Sequence, residues 1–380
     1  MLSDLCDTSR GITYGIVKVG EFVPNGVPVI RGGDIRNNRI EFDDAKRVTP
    51  EVSQQFSRTV LQGGEVIINL IAEPGHCAVV SREFSGFNVS RDVAVIPLGR
   101  EVNHGFVNWF LKSPQAIDWL TSRMSGSVTQ KINLRDLKDL PIPTPPPLIQ
   151  DAVASILGAL DDKIAVNERI AATVDELAGL LFRGCVGLAP RVITDVASIT
   201  MGQSPPGETY NETGDGLPFY QGTKDFGMRY PRRRVWCSAV TRFAYENDVL
   251  VSVRAPVGKI NVAVEGCGIG RGVAAVRSPR YPHVMLHALS SDKSVWRPYE
   301  AEGTVFGAIN KKQFSQLEVS WPSELYIDGL ESQLRALDDR LRQTAEESCT
   351  LAALRDTLLP QLMSGRLRVK DAEKIVEDHT

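Results

Sequence analysis

Two long stretches of the chain, residues 153–181 and 330–358, place apolar residues at alternating spacings of four and three. This period is typical of helices that pack in a coiled coil. A polar residue stands at the middle of each apolar stripe, Asn167 in the first and Thr344 in the second, and such a residue fixes register at a cost in stability. Because each helix leads away from its own globular region, we expect an antiparallel coiled coil. The predicted contact positions are Val153, Leu157, Leu160, Ile164, Asn167, Ala171, Val174, Ala178 and Leu181 in the first helix, and Leu330, Leu334, Leu337, Leu341, Thr344, Ser348, Leu351, Arg355 and Leu358 in the second.

The regions before each long helix carry short apolar runs bounded by Gly, Pro and Asn, a pattern that predicts β-strands. A shorter helical stretch, residues 106–123, has a counterpart at 284–299, and Pro114 is expected to bend the first of these. The apolar side of the first stretch is predicted to carry Val107, Phe110, Leu111, Ile117 and Leu120. The fold class is therefore predicted to be α+β, with a twisted and mostly irregular sheet in each globular region. The predicted strands are 27–30, 65–68, 77–80 and 93–96 in the first region, and 248–251, 260–263 and 273–276 in the second.

The chain contains an internal repeat. Residues 159–164 match 336–341 at an offset of 177, and the offset grows toward the N-terminus, where Gly26 matches Gly216 at 190. Each copy is a globular part followed by a helix; the helices are alike and the globular parts have diverged. This contrast favours one scaffold that carries two different recognition surfaces, with an old duplication that drifted without purpose as the alternative. Further matched pairs are Gly75 with Gly258, Arg91 with Arg271, Ile132 with Ile309 and Asn133 with Asn310.

The domain boundaries follow from this repeat and from a proline run at residues 141–147 that stiffens the exit from the first globular part. The predicted domains are a first globular domain at 1–147, a helical spacer at 148–185, a second globular domain at 190–323, a second spacer at 324–368 and a C-terminal tail at 369–380.

Charge and composition leave the function open. The net charge of −3 is a mild argument against nucleic-acid binding, but residues 190–322 carry 16 Lys and Arg against 12 Asp and Glu. No window of 18 apolar residues predicts a membrane span. The N-terminal residues 1–7 are acidic where a secretory signal requires basic residues, so a cytoplasmic location is expected. The six scattered cysteines are expected to be reduced and mostly buried.

Catalytic and cofactor motifs are weak. The glycine-rich run at residues 266–272 resembles a nucleotide-binding loop, but no helix pattern follows it, and a turn between strands is the favoured interpretation. His283 and His287 are spaced to share a helix face, yet no third ligand lies nearby, so no metal is expected. We find no nucleophile motif and no Asn-Pro-Pro-Tyr or Asp-Pro-Pro-Tyr run of an amino-methyltransferase. No cofactor and no catalytic residue are therefore predicted on this chain.

Basic and amide side chains in the predicted loops suit DNA. Arg, Gln and Asn can read base edges in the major groove, and Lys mostly holds phosphate. For any single residue, a solvated loop charge is an equally good interpretation. The candidate DNA-binding residues are Arg31, Arg36, Arg91, Gln130, Lys131, Asn133, Lys224, Arg233, Arg254, Arg271, Asn310 and Lys311.

The chain resembles the specificity subunit of type I restriction–modification systems over nearly its whole length. The resemblance rests on the segments at residues 126–133, 140–143, 148–151 and 157–164, and on the C-terminal run at 358–367. One departure is that Gly307-Ala308 replaces the Gln130-Lys131 pair in the second copy. That difference leaves Gln130 and Lys131 uncertain as a general DNA contact, although it would suit a different half-site.

The resemblance implies that the two globular parts are target-recognition domains, each reading one half of an interrupted double-stranded DNA site. It also implies that the helices dock methyltransferase subunits, expected to be two, and fix the gap between the half-sites. Restriction and translocase subunits could join the complex, and S-adenosylmethionine and ATP would bind the partners. The expected function is to direct adenine methylation and restriction without catalysis by this chain.

Two alternatives remain at the level of sequence. A protein-interaction scaffold with two binding domains would lack salt-dependent DNA binding, and a stand-alone methyltransferase would bind the cofactor itself.

Overall fold

A computed structural model of the chain describes residues 1–126, 130–185, 189–300 and 307–378. The chain forms two units: unit 1 comprises residues 1–166 and 347–380, and unit 2 comprises residues 167–346. Each unit combines a β-sheet with short helices and with parts of two long helices, and the predicted α+β class is confirmed.

Unit 1 contains a four-stranded antiparallel sheet of order β1-β9-β6-β7 and a three-stranded sheet of order β5-β2-β8, in which β2 and β8 run parallel. The buried side chains of the first sheet pack against the short helices and the long helices. The strands are β1 (Thr13–Tyr14), β2 (Val27–Ile30), β3 (Ile35–Arg36), β4 (Arg39–Ile40), β5 (Arg47–Val48), β6 (Val66–Asn69), β7 (Cys77–Val79), β8 (Asn88–Val89) and β9 (Val93–Ile96). The helices are α1 (Pro50–Gln55), α2 (His104–Leu111), α3 (Pro114–Thr121), α4 (Leu134–Lys138) and the long α5 (Pro147–Gly184), which continues into unit 2.

Unit 2 repeats this arrangement. Its antiparallel sheet has the order β11-β19-β16-β17, and a five-stranded sheet of order β12-β14-β13-β18-β15 again contains one parallel pair, β13 with β18. The strands are β10 (Ala189–Val192), β11 (Ser198–Met201), β12 (Tyr210–Asn211), β13 (Leu217–Tyr220), β14 (Trp236–Cys237), β15 (Phe243–Ala244), β16 (Val249–Ser252), β17 (Ile260–Val262), β18 (Cys267–Ile269), β19 (Val273–Arg277) and β20 (Glu318–Trp321). The helices are α6 (Ile193–Val196), α7 (Pro282–Ser290), α8 (Lys311–Ser315), α9 (Ile327–Met363), which continues into unit 1, and α10 (Val369–Glu377) in unit 1.

Gly26 and Gly216 stand at matched positions of the repeat, and each lies against the backbone of a neighbouring strand. A Cβ on Gly26 would lie 2.4 Å from the carbonyl oxygen of Val48, and a Cβ on Gly216 would lie 2.2 Å from that of Cys237. Both distances are far below van der Waals contact, so only glycine lets the strand that follows, β2 or β13, approach its neighbour. Gly216 also has φ +91°, a conformation that side chains other than glycine rarely adopt.

The long helices pack along the predicted apolar stripes. In unit 1, Val153 and Leu157 of α5 share a core with Leu351 and Leu358 of α9. In unit 2, Phe182 near the end of α5 shares a core with Leu330 and Leu334 near the start of α9. The start of α5 packs against the end of α9, and the end of α5 against the start of α9, so the two helices are antiparallel, as expected. Asn167 and Thr344 are both buried at the middle of their stripes.

A buried carboxylate links α9 to the globular part of unit 2. Asp338 Oδ2 is hydrogen-bonded to His283 Nδ1 at 2.8 Å, and its Oδ1 lies 3.4 Å from His287 Nε2 and 3.9 Å from Arg229 Nη1. Burial raises the pKa of Asp338, but the hydrogen bond from His283, the closeness of His287 and the charge of Arg229 outweigh this effect and hold the pKa at about 2. Asp338 is therefore ionised at neutral pH, and the two histidines are its structural partners.

The repeat-equivalent aspartate of unit 1 uses different partners. Asp161 Oδ1 accepts a hydrogen bond from Arg355 Nη1 at 2.7 Å, which joins α5 to α9. The ammonium nitrogen of Lys112, close to Asp161, is buried. Burial lowers the pKa of Lys112, although the negative charge of Asp161 acts to raise it.

One predicted helix is divided in two. Instead of a single helix over residues 106–123, α2 ends at Leu111 and α3 begins at Pro114, with Ser113 as its N-cap. Proline fits the first turn of a helix, where its missing N–H is not needed. The break changes the phase of the apolar face, so Ile117, which was predicted to face the core, is half exposed. The counterpart region is divided as well, into α7 and a 3-10 helix at Lys293–Tyr299.

No helix among the residues described is both long enough and apolar enough to cross a membrane. Four of the six cysteines are buried, Cys185 is partly buried and Cys349 is exposed.

Candidate nucleic-acid interface

The parallel strand pair of unit 1 places two candidate arginines at one sheet edge. Arg31 follows β2 directly, and Arg91 follows β8 after one intervening residue. Because β2 and β8 are parallel and paired in register, their carboxyl ends lie side by side, and both arginines leave the sheet there. Arg91 is exposed.

Carboxylates hold the Arg31 side chain in a fixed position. Its Nη2 donates to Asp34 Oδ1 at 3.3 Å and to Asp43 Oδ2 at 2.8 Å. The following backbone is held as well, since the N–H of Gly32 donates to Asp92 Oδ2 at 2.9 Å. Arg31 is thus preorganised but partly neutralised, whereas Arg91 makes no ion pair with the residues described.

A tight hairpin presents Arg36. β3 and β4 are joined by Asn37 and Asn38, whose φ angles are 45° and 64°. Positive φ at both central residues is the requirement of the two-residue turns that match strand twist, and Asn tolerates it. Arg36 is exposed opposite Arg39, whose Nη2 is bound to Asp162 of α5 at 3.1 Å. The Arg39 bridge ties the hairpin to the helix.

The segment at Gln130–Lys131 forms isolated β-bridges in unit 1. Lys131 pairs with Ile71 and with Ser125, and the carbonyl of Gln130 accepts from the N–H of Ala72 at 3.2 Å. Both side chains are exposed. The remaining residues of this predicted loop, 127–129, lie outside the described residues.

The corresponding bridge in unit 2 keeps a cation on the opposite strand. Arg254 pairs with Ala308 there, as Ile71 pairs with Lys131 in unit 1. Directly paired residues of an antiparallel bridge lie on the same face. The loss of the lysine at Ala308 is therefore compensated by Arg254, and the departure noted in the sequence does not remove the basic charge.

The two candidate asparagines have a structural position. Asn310 is the N-cap of α8: its Oδ1 accepts from Gln313 N at 3.0 Å, and Gln313 Oε1 accepts from Asn310 N at 3.0 Å. This reciprocal capping arrangement engages the Asn310 side chain. Asn133 stands at the same position before α4, where its Nδ2 donates to Asp136 at 3.1 Å. The candidate Lys311 is exposed in the first turn of α8.

A cleft in unit 2 brings two of the candidate arginines together. Arg254 and Arg271 line it with Ser204, Gln221 and Thr223. Arg271 Nε donates to Ser204 Oγ at 3.3 Å. The candidate Lys224 follows Thr223 in the chain and is exposed. Arg233 does not line this cleft, and its side chain is paired with Glu265 at 2.5 Å.

The sequence interpretation overlooked Gln221 and Ser204. Gln221 directly follows β13, as Arg31 directly follows β2, and the offset of 190 that joins Gly26 to Gly216 also joins Arg31 to Gln221. The repeat therefore contained a signal for Gln221. Ser204 had no comparable signal, because it reaches the cleft from a distant part of the chain.

A comparison with known families finds a similarity in the first part of the chain. Residues 2–176 match the family model described as the type I restriction modification DNA specificity domain. This match covers a little less than half of the chain, and over that part the chain is similar to type I DNA specificity domains. The matched residues include the globular part of unit 1 and most of α5.

Individual relatives agree with this family. The chain is 30% identical over 264 residues to the putative type I restriction enzyme MjaX specificity subunit of Methanocaldococcus jannaschii, a match that covers 63% of this chain and 62% of the relative. It is 26% identical over 146 residues to the type I restriction enzyme EcoBI specificity subunit of Escherichia coli, covering 38% of this chain and 31% of the relative. The matches thus span less than two thirds of the length of these two relatives.

A solved structure supports the fold. The type I restriction–modification S subunit from M. genitalium is 16% identical, and the match covers 95% of this chain and 94% of that one with a TM-score of 0.62. This likeness extends the shared fold to unit 2.

Proposed function

We propose that the chain is the DNA-binding specificity subunit of a type I restriction–modification complex, that it reads a bipartite double-stranded target, and that partner subunits carry out adenine methylation and restriction. The observation that carries this proposal is the match of residues 2–176 to a DNA specificity domain. The repeated sheet order of the two units supports a second reader of the same kind.

Each unit would bind one half-site through its candidate cations, some of which lie at the edge of its parallel strand pair. In unit 1 these are Arg31, Arg36, Arg91 and Lys131, with Gln130 beside them; in unit 2 they are Lys224, Arg254, Arg271 and Lys311. Arg233, Asn133 and Asn310 are weaker candidates, because an ion pair or a helix cap already engages their side chains. We retain the predicted boundaries of 1–147 and 190–323 for the two target-recognition domains.

The chain would act in the cytoplasm without a cofactor of its own. Two methyltransferase subunits would dock on the helical spacers, at 148–185 and 324–368, and supply S-adenosylmethionine chemistry, and restriction subunits would join this assembly.

Methylation-sensitive sequencing tests the proposal in the host. The genome with the gene intact should carry one methylated, interrupted motif that is absent after the gene is deleted. Purified chain with labelled S-adenosylmethionine and DNA should transfer no methyl group until the methyltransferase subunits are added. An unchanged methylation pattern after deletion would contradict the proposal.

Salt dependence separates DNA binding from a protein scaffold. The logarithm of the association constant for duplex DNA should fall linearly with the logarithm of the salt concentration, because bound cations release counterions from the phosphates. Replacing Arg254 or Arg271 by Ala should reduce the slope by about one each and weaken all sequences alike. Absence of any binding by the assembled complex would favour the scaffold.

A further inference from the structure

We propose that Gln221 is a residue through which unit 2 reads a base of its half-site, and that the base is adenine. This inference rests on the proposed function, because it requires that DNA lies against the cleft of unit 2. Gln221 would be one specificity-determining residue among the DNA contacts that the proposed function leaves open.

The close approach of Gln221 explains why glycines stand in the run at residues 266–272. The run forms β18 and the turn after it. A Cβ on Gly270 would lie 2.9 Å from Gln221 Cγ, and a Cβ on Gly272 would lie 2.2 Å from the Gln221 carbonyl oxygen. Both glycines are therefore required for the close approach of Gln221. They hold the backbone and the first part of its side chain against the strand, which limits the freedom that binding would otherwise remove.

Unit 1 has filled the equivalent space with polar side chains. Ser90 and Asp92 stand where Gly270 and Gly272 stand in unit 2, at the offset of 180 that joins Arg91 to Arg271. Ser90 Oγ donates to the Ile30 carbonyl at 3.2 Å, and Asp92 accepts from the backbone after Arg31. The cleft of unit 2 arises because its glycines supply no such groups.

The end of the Gln221 side chain is available to a ligand. Gln221 is exposed, and its amide forms no hydrogen bond with any residue in the described ranges. A side chain whose stem is packed and whose amide is free is suited to contact a partner. Gln221 also borders a second depression, lined by Glu212 and Asp225.

The charges around Gln221 indicate where the DNA backbone would lie. Arg254 and Arg271 flank it on one side, and neither is paired with a carboxylate among the described residues. In contrast, Arg234 is bound to Asp225 at 2.7 Å on the other side. Phosphates would therefore lie along the Arg254 side, because the opposite side carries the exposed carboxylate of Glu212.

An uncharged amide beside two cations suits base recognition. The arginines supply attraction that is independent of sequence, and the amide supplies one acceptor and one donor group in a plane. These groups match N6 and N7 of adenine in the major groove, with which Gln forms a bidentate pair. In unit 1 the corresponding position is Arg31, whose bidentate partner would be guanine. The two units would then read different bases at equivalent places, as an asymmetric target requires.

Base preferences of the assembled complex test this assignment. Wild type, Gln221→Ala and Gln221→Glu are each combined with the methyltransferase subunits and selected against a DNA library randomised in both half-sites. Gln221→Ala should lose about 5- to 150-fold of its preference for one A·T pair in one half-site, the range expected for a bidentate contact. Gln221→Glu should move the preference at that pair toward cytosine, whose N4 amino group donates to a carboxylate.

Gln316→Ala is the matched control, since Gln316 is an exposed glutamine of unit 2 that does not line the cleft. It should keep the wild-type preferences, and circular dichroism should show all variants folded. Wild-type selectivity in Gln221→Ala would overturn the inference and leave the proposed function standing. A loss spread over every position, or confined to a G·C pair, would overturn it as well. A wild-type complex with no sequence preference would instead defeat the proposed function itself.

Discussion

Replacing Asp338 removes the charge at the centre of a buried cluster, and unit 2 should lose stability as a result. The side chain is 5% exposed and contacts His283, His287 and Arg229, of which Arg229 is itself 10% exposed. The change from the ordinary pKa of 3.8 to about 2 corresponds to roughly 2 kcal/mol of stability at neutral pH. We expect Asp338→Asn to cost about this amount, and Asp338→Ala about 3–5 kcal/mol, because a buried cation then lacks its partner.

The pH dependence has a definite sign. The carboxyl of Asp338 has a lower pKa in the folded than in the unfolded chain, so its contribution is fully present above about pH 4. It is lost as the pH falls through about 2, where the folded chain also takes up the proton. The Asp338→Asn variant should therefore differ from wild type at neutral pH, and the difference should shrink toward pH 2.

Hydrogen exchange followed by mass spectrometry suits a chain of two units, because it reports each unit separately. Peptides from α7 and from β16 should exchange about 30-fold faster in Asp338→Asn, the factor that corresponds to about 2 kcal/mol. Peptides from the globular part of unit 1 should be unchanged. Asp339→Ala is the matched control, since this neighbouring aspartate is exposed. Equal effects of the changes at 338 and 339 would refute the structural role of the cluster.

Three further substitutions have expected outcomes. Asp161→Ala should speed hydrogen exchange in unit 1 by a factor that corresponds to about 2–4 kcal/mol, because Arg355 loses its carboxylate partner at 2.7 Å. An effect confined to unit 2 would contradict this expectation. Lys112→Met should raise the free energy of unfolding of unit 1 by about 1 kcal/mol, since burial of the ammonium group, which lowers its pKa, is unfavourable; a lower free energy of unfolding would disprove this. Gly216→Ala should destabilise unit 2 by about 1–3 kcal/mol in denaturant unfolding, whereas Gly207→Ala, at a position with open space, should cost much less.

Local patterns in the sequence predicted the elements that depend on local periodicity. The long helices are packed along the predicted stripes, and Asn167 and Thr344 are buried in them, because burial along a helix follows its 3.6-residue period. Ile117 departs from the prediction because Pro114 restarts the helix and shifts its phase. The strands near 93–96 and 273–276 lie where they were predicted, at Val93–Ile96 and Val273–Arg277.

Local sequence patterns did not predict the contacts that join distant parts of the chain. The carboxylate that pairs with His283 and His287 comes from α9, about 50 residues away in sequence. The cation of Arg254 compensates for the missing lysine at Ala308 only through a β-bridge. The glycine-rich run could be interpreted only as a turn, because the reason for its glycines is the distant backbone of Gln221. The sequence identified the chemical types at the candidate interface, and the tertiary fold determined which of them share a surface.

The order of the two units along the chain has a consequence for synthesis on the ribosome. Unit 2 is one continuous segment, whereas unit 1 needs residues 347–380 in addition to its first 166. Its core includes Leu351, Leu358 and Leu362, which are made only after all of unit 2. The apolar surface of nascent unit 1 that these leucines cover must therefore stay exposed while all of unit 2 is translated. This delay is about 10–40 s at about 5–20 residues per second. During this interval the incomplete core of unit 1 is the part of the nascent protein most in need of a chaperone.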